Sequence, residues 1–156
     1  VNAVTIRRVR YDSMVAQALV EAALADLGRR YGGPGDATPV TPTDFEPPDG
    51  AFLVAYLDRE PVGCGGWRSH GDTAEVAELK RMYTVPSARR SGTARRILAA
   101  VEDSARAHGR TRMILECGDR QPEAVNLYES HGYHRIPHFG FYRDHDGVIS
   151  LGRDLP

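Results

Sequence analysis

Between Thr73 and Gly109 the hydrophobic pattern changes period once, and that change constrains the fold more than any other feature of the chain. A strand read from about Thr73 to Val85 stops at Pro86. Beyond it Ala94, Ile97, Leu98, Val101 and Ala105 fall at i, i+3, i+4, i+7 and i+11, one face of an amphipathic helix that Gly109 ends. Arg95, Arg96, Glu102, Asp103 and Arg106 lie on the opposite face. The short turn between the two elements is basic, with Arg89 and Arg90, and carries Gly92 where the helix begins. A helix N-terminus presents unpaired N–H groups and the positive end of its dipole, so such a turn is suited to phosphate. Gly92 lets a ligand approach the backbone, and Ala94 keeps the first turn open.

The remaining pattern places this unit in a mixed sheet. Thr5 to Arg10 alternates as a short strand, and Met14 to Tyr31 repeats at helical spacing up to Gly32-Gly33-Pro34-Gly35. A proline-rich loop from about Gly33 to Gly50 follows, long enough to be functional or disordered. Ala51 to Leu57, the turn Asp58-Arg59-Glu60 and Pro61 to Arg68 form a hairpin. After the amphipathic helix come a strand at Thr111 to Glu116 and a helix at Pro122 to His131. Two final strands are expected at Tyr133 to Tyr142 and Val148 to Leu155. This order predicts a three-layer α/β or α+β domain with helices on both faces of the sheet.

Several functions are disfavoured by composition. The 156 residues suit a single domain spanning 1–156, with 41% hydrophobic and 26% charged residues. Twenty basic against 21 acidic side chains give a net charge of −1, which argues against general nucleic-acid binding. Lys80 is the only lysine, and the arginine excess reads as coding bias. No apolar run approaches the ~18 residues a membrane span needs. The first ten residues lack an apolar signal core, so a cytoplasmic location is expected. Cys64 and Cys117 lie far apart and read as a reduced pair. His131, His134 and His138 have no acidic or cysteine partner at regular spacing, so no metal site is expected.

Two segments carry a family resemblance. Arg89-Arg90-Ser91-Gly92-Thr93-Ala94 resembles the R/Q-x-x-G-x-G/A signature of the GNAT superfamily, the acyl-coenzyme A-dependent N-acyltransferases. Glu123-Ala124-Val125-Asn126-Leu127-Tyr128-Glu129-Ser130-His131-Gly132-Tyr133 is similar to that family's A-x-x-L-Y-E-x-x-G-F/Y signature, one helix and one strand further on. The run Leu115 to Phe141 resembles a bacterial subgroup of small members. The resemblance implies a mostly antiparallel sheet of about six to seven strands with a splayed parallel pair. It implies acetyl-coenzyme A as cosubstrate, its pyrophosphate held by the turn from Arg89 and Arg90 through Ser91, Gly92, Thr93 and Ala94 to Arg95. The pantetheine arm would then pair with the backbone of Met82 and Thr84, either side of Tyr83, with Gln121 alongside. Three positions depart from the family pattern: Arg90 stands where glycine is frequent, Gln121 where asparagine is frequent, and Ile149 to Arg153 differs from the usual last strand.

Tyr128 occupies the family's general-acid position. A phenol of pKa about 10 can protonate or hydrogen-bond a departing thiolate near 8.5. The alternative is a packing tyrosine one turn after Ala124. Glu78 is the candidate base; it could instead pair with Lys80 or Arg81. A nucleophilic Cys64 or Cys117 would give an acyl-enzyme, although neither has an evident neighbouring base. On the acceptor side, Asp44, Phe45, Glu46 and Asp49 could form the lip of a pocket, with Arg68 or Arg81 for a carboxylate. The expectation is direct acetyl transfer to a primary amine of a small molecule in a ternary complex. Alternatives are a non-catalytic acyl-coenzyme A sensor, a protein N-acetyltransferase and an interaction module. A homodimer is compatible with the fold.

Overall fold

The computed structural model describes residues 3–156, in which seven strands form one sheet. In chain order the elements are β1 (Val4–Val9), α1 (Met14–Tyr31), β2 (Gly50–Leu57), β3 (Glu60–His70), β4 (Val76–Thr84), α2 (Thr93–Ala107), β5 (Arg112–Gly118), α3 (Pro122–Ser130), β6 (His134–Arg135) and β7 (Val148–Asp154). The strand order is β1-β2-β3-β4-β5-β7-β6, antiparallel throughout except for β4 and β5. The expected mixed sheet with one parallel pair is therefore present.

Each face of the sheet has its own core. The amphipathic stripe of α2, Ile97, Leu98, Val101 and Ala105, is fully buried against Ala51, Ala55, Trp67 and Leu79. On the other face Ala16, Leu19 and Val20 of α1 pack with Tyr11, Phe45, Phe52 and Cys64. Ser13 caps α1, its hydroxyl accepting the Ala16 N–H. Glycines in β3 let the layers close: a Cβ on Gly65 would lie 2.5 Å from Met82 Sδ, and one on Gly66 2.8 Å from Ala51 O.

Two expectations change. The segment read as a strand from Tyr133 to Tyr142 pairs only at His134 and Arg135. Ile136 still donates to Ser150 O, but Pro137 has no N–H to continue the ladder and the chain leaves the sheet. The strand read from Thr73 begins at Val76, because Gly71 sits at φ 82° in the preceding turn. The proline-rich loop is ordered: Pro42–Phe45 forms a 3₁₀ turn in which Asp44 accepts from the Thr41 N–H.

The functionally decisive feature is where β4 and β5 part. They pair only from Val76–Glu78 to Arg112–Ile114, after which β4 stays with β3 and β5 with β7. Opposite Gly65, β4 carries two residues, Arg81 and Met82, since Cys64 pairs with Tyr83 and Gly66 with Lys80. Arg81 takes up the extra residue at φ 61°. This β-bulge bends β4 and re-aims its side chains, opening a gap in the sheet.

Candidate active site

The gap is an open cleft of about 310 Å³ that passes through the plane of the sheet. Lys80, Glu116 and Tyr142 line it on the α1 side, and Leu79, Cys117 and Tyr128 on the α2 and α3 side. Past Glu78 the edge of β4 facing β5 has no strand partner. An extended ligand can add to such an edge by main-chain hydrogen bonds, and Met82, Tyr83 and Thr84 lie on it. The Thr84 carbonyl already accepts from Arg89 Nε at 2.9 Å. That bond lays the Arg89 side chain along β4, with its guanidinium 5.8 Å from the Tyr83 ring and 3.8 Å from Asp26.

Beyond the end of β4 stands the turn into α2. Gly92 is the N-cap at φ 82°, and no side chain caps the helix. Ser91 instead turns back, donating to Ala88 O and lying 2.9 Å from Thr93 Oγ1. Arg96 is the first residue whose N–H finds a carbonyl within the helix, that of Gly92. The amides of Thr93, Ala94 and Arg95 are therefore left for an outside acceptor. A Cβ on Gly92 would meet nothing within 4 Å, so this end of the helix is open. Arg90 adopts the left-handed conformation, φ 64°, that the glycine frequent at this position would adopt without strain. Arg95 reaches Ser130 Oγ and ties α2 to α3. Gln121 lies at the start of α3 and lines the cleft. An uncapped helix end beside an unpaired strand edge fits a pyrophosphate continued by an extended polar arm.

Tyr128 points into the cleft from α3, 6% exposed, its ring 5.7 Å from that of Tyr133. Its hydroxyl makes no hydrogen bond to the protein among the described residues, so it is not locked into local packing. Burial, reinforced by Cys117, raises its pKa and keeps the phenol protonated. Cys64 and Cys117 are both free. Burial pushes each thiol up to about 12, and Cys64 donates to Arg81 O. Neither offers a thiolate near neutral pH.

The residues expected on an acceptor side hold the surprises. Glu78 does not line the cleft, and its partner is neither Lys80 nor Arg81: Oε1 accepts from Arg68 Nε at 3.0 Å, with the carboxylate side chain 4% exposed. Arg68 in turn donates to Pro39 O and meets Asp44. Phe45, expected at the lip, is buried at 1% exposure, stacked on Tyr11 and edge-on to Phe52. Glu46 faces Arg10, and Asp49 lies 3.8 Å from Arg110. Asp44, Phe45, Glu46 and Asp49 do not line the cleft; Gly35 and Asp36, earlier in the same loop, do.

Asp36, unremarked in the sequence, anchors the site. The bulge brings the consecutive side chains of Lys80 and Arg81 to one side, and both reach Asp36, with Lys80 Nζ at 3.1 Å. Thr38 N–H and the Tyr142 hydroxyl also donate to it. Burial raises the Asp36 pKa, but Lys80, Arg81 and Thr38 outweigh it and hold the carboxyl well below the ordinary range. Glu116 on β5 is the second missed residue. Its Oε2 accepts the Tyr142 N–H at 3.1 Å, and its Oε1 is buried with no partner. Burial pushes its pKa up, and nearby Glu78 adds to the shift. Among the described residues no group of three His, Cys, Asp or Glu side chains is arranged to hold a metal ion.

Residues 18–133 match the acetyltransferase (GNAT) family. The "IAA acetyltransferase" of Azospirillum brasilense is 38% identical over 95 residues, 61% of each chain. The uncharacterized N-acetyltransferase YjgM of Escherichia coli is 32% identical over 93 residues, 59% of this chain and 56% of that one. The aligned stretch thus spans less than two thirds of these two relatives. A solved structure from Klebsiella pneumoniae, of a candidate acyl-CoA N-acyltransferase, superposes with TM-score 0.80 at 25% identity, covering 98% of both chains.

Proposed function

Because the chain belongs to the GNAT acetyltransferase family, we propose that it transfers an acetyl group from acetyl-coenzyme A to a primary amine of a small molecule, by direct transfer in a ternary complex. The observation that carries this reading is the opening of β4 from β5 beside the uncapped N-terminus of α2, with the Tyr128 hydroxyl in the same cleft. The amides of Thr93, Ala94 and Arg95 hold the pyrophosphate, and the backbone of Met82 and Thr84 orients the pantetheine arm. Acetyl-coenzyme A supplies the activated acyl group. Tyr128 gives a proton or a hydrogen bond to the departing sulfur. Direct transfer is favoured over an acyl-enzyme because both thiols are held protonated. The kinship to a relative named an acetyltransferase supports acetyl as the acyl group. The cleft wall of Asp36, Lys80, Arg81 and Glu116 favours a small polar acceptor.

The test is Tyr128→Phe, which keeps the ring and its packing and deletes the donor. General acid catalysis is worth ~10²–10⁴-fold, so kcat in a free-thiol release assay falls in that range with little change in KM for acetyl-coenzyme A. A more acidic thioester analogue recovers much of the loss. A variant within twofold of the parent on both substrates makes Tyr128 a packing residue. A parent that binds acetyl-coenzyme A yet releases no thiol with any amine is a sensor rather than an enzyme.

A further inference from the structure

Glu116 is the second residue of β5 beyond Ile114, the last residue that pairs with β4, so it stands on the β5 wall just past the point where the strands part. It shares the α1 side of the sheet with Glu78 and Lys80, whereas Tyr128 closes the cleft from the α3 side. A carbonyl held in the gap between the strands therefore lies between the two. Of the other acids in or beside the cleft, Glu78 is fastened to Arg68, Asp36 is clamped by Lys80, Arg81 and Thr38, and Asp26 pairs with Arg29, Arg30 and Arg89, while Asp146 is exposed in the loop before β7. Glu116 keeps one oxygen, Oε2, on the Tyr142 N–H, while Oε1 is buried without a partner under the backbone of Gly140. A buried carboxylate oxygen that the chain leaves unpaired is uncommon, and beside a cleft it suits a donor brought in by a ligand.

We propose that Glu116, not Glu78, takes the proton from the acceptor amine. This rests on the acetyltransferase reading and deepens it. An ammonium N–H bond breaks with its electron pair left on nitrogen, and the proton goes to the Glu116 carboxylate. The freed pair forms the C–N bond to the acyl carbon as the C–S bond breaks, and the sulfur takes a proton from Tyr128. Glu116 and the remaining excess N–H then release protons to water, and Tyr128 is reprotonated from it, so one ammonium ion and one thioester give one amide, one thiol and one proton. The surroundings suit this task. Burial, Glu78 and Asp36 press the Glu116 carboxyl towards its neutral form, while Lys80 on β4 and the Tyr142 N–H favour the charged one. On its other flank it faces Ser150 of β7, whose hydroxyl lies 2.7 Å from His138 Nδ1.

The experiment measures thiol release from acetyl-coenzyme A with a panel of primary amines (a polyamine, an aminoglycoside, free amino acids and an arylethylamine). The parent, Glu116→Gln, Glu116→Asp and Glu78→Gln are compared from about pH 6 to about pH 10. Glutamine can still accept the Tyr142 N–H but cannot hold the proton. The expected result is a ~10²–10⁴-fold lower kcat/KM for Glu116→Gln near neutrality. That loss should close as the amine deprotonates by itself, with calorimetric affinity for acetyl-coenzyme A unchanged. Glu116→Asp should recover part of the rate with the parent's pH profile. A loss that stays constant with pH, or one that follows Glu78→Gln instead, overturns the proposal while the parent's turnover keeps the acetyltransferase reading. A parent that binds acetyl-coenzyme A and acetylates none of the amines overturns both. Should Glu116→Gln fail to fold, carboxyl NMR of ¹³C-glutamate-labelled parent decides. A Glu116 signal that titrates at or below the ordinary glutamate range overturns the proposal, and one above it supports it.

Discussion

Two carboxylates, Glu102 and Asp36, are drawn into the protein on opposite faces of the sheet, and they are finished differently. Glu102 on α2 is 2% exposed; its Oε2 accepts from Tyr133 OH at 2.7 Å, and its Oε1 faces His131 Nε2 at 3.3 Å and Arg153 at 3.6 Å. Arg153 also donates to His131 O, so the cluster joins α2, the end of α3 and β7 with both carboxylate oxygens partnered. Asp36 is equally well held, but the groups around it are not: Arg81 Nε and Glu116 Oε1 are both buried without partners. A closed polar network specifies packing, whereas one left open beside a cleft costs stability that packing alone does not recover. The contrast separates an acid whose network is closed within the packing from acids whose network is left open beside the cleft.

The largest expected effect comes from Asp36→Ala. It leaves Lys80 and Arg81, whose side chains are 6% and 5% exposed, without their counter-ion. Breaking a buried pair in this way costs ~3–5 kcal/mol, to be read from urea unfolding, with loss of turnover in what remains folded. The same contact has a pH signature. The folded carboxyl sits below its unfolded value because Lys80, Arg81 and Thr38 outweigh the effect of burial. The stabilisation is therefore complete above the unfolded aspartate range and is lost as pH falls through that range towards the folded value. Asp36→Asn should flatten this acid limb. An Asp36→Ala protein as stable as the parent would erase the distinction between the two clusters.

Glu102→Gln should cost less and touch only stability. It keeps an acceptor for Tyr133 but removes the charge facing Arg153 and His131, a loss of ~1–3 kcal/mol. Free-thiol release per folded molecule and affinity for acetyl-coenzyme A should stay at parent values. A changed kcat would mean that the α2 cluster reaches the cleft after all.

The two ends of the cleft were unequally legible in the sequence, for a physical reason, and Glu102, read on the polar face of α2, is buried. The period change into α2, the turn at Gly92 and the helix bearing Tyr128 all rest on local patterns, and local patterns survive without tertiary information. The wall formed by Asp36, Lys80 and Arg81 rests on the β4 bulge. Strict alternation sends Lys80 and Arg81 to opposite faces, and only the extra residue opposite Gly65 turns both towards Asp36. Gly65-Gly66, together with a single lysine in a chain rich in arginine, was the available hint. Phe45 was misplaced because five prolines make its loop look like surface, although a large aromatic residue in such a loop usually seeks a core. Pro137 was signal enough to shorten the strand read to Tyr142.

Tyr142→Phe should have the smallest effect and make the finest distinction. The Tyr142 hydroxyl accepts from Ala37 N–H at 2.6 Å and donates to Asp36 Oδ1 at 3.1 Å, closing the loop after β6 onto the loop after α1. Its backbone N–H holds Glu116. Deleting the hydroxyl leaves that N–H in place but loosens the wall between the loops. The cost is about one ordinary hydrogen bond, ~0.5–1.5 kcal/mol. For a domain of this size that is a fall in Tm of roughly 1–6 °C. If this wall shapes the acceptor pocket, KM for the amine rises while KM for acetyl-coenzyme A and the pH dependence of kcat hold. If instead Tm falls with both KM values unchanged, Tyr142 is a structural clasp like Glu102, and the acceptor must enter past Asp146 and Val148 at the other edge of the cleft.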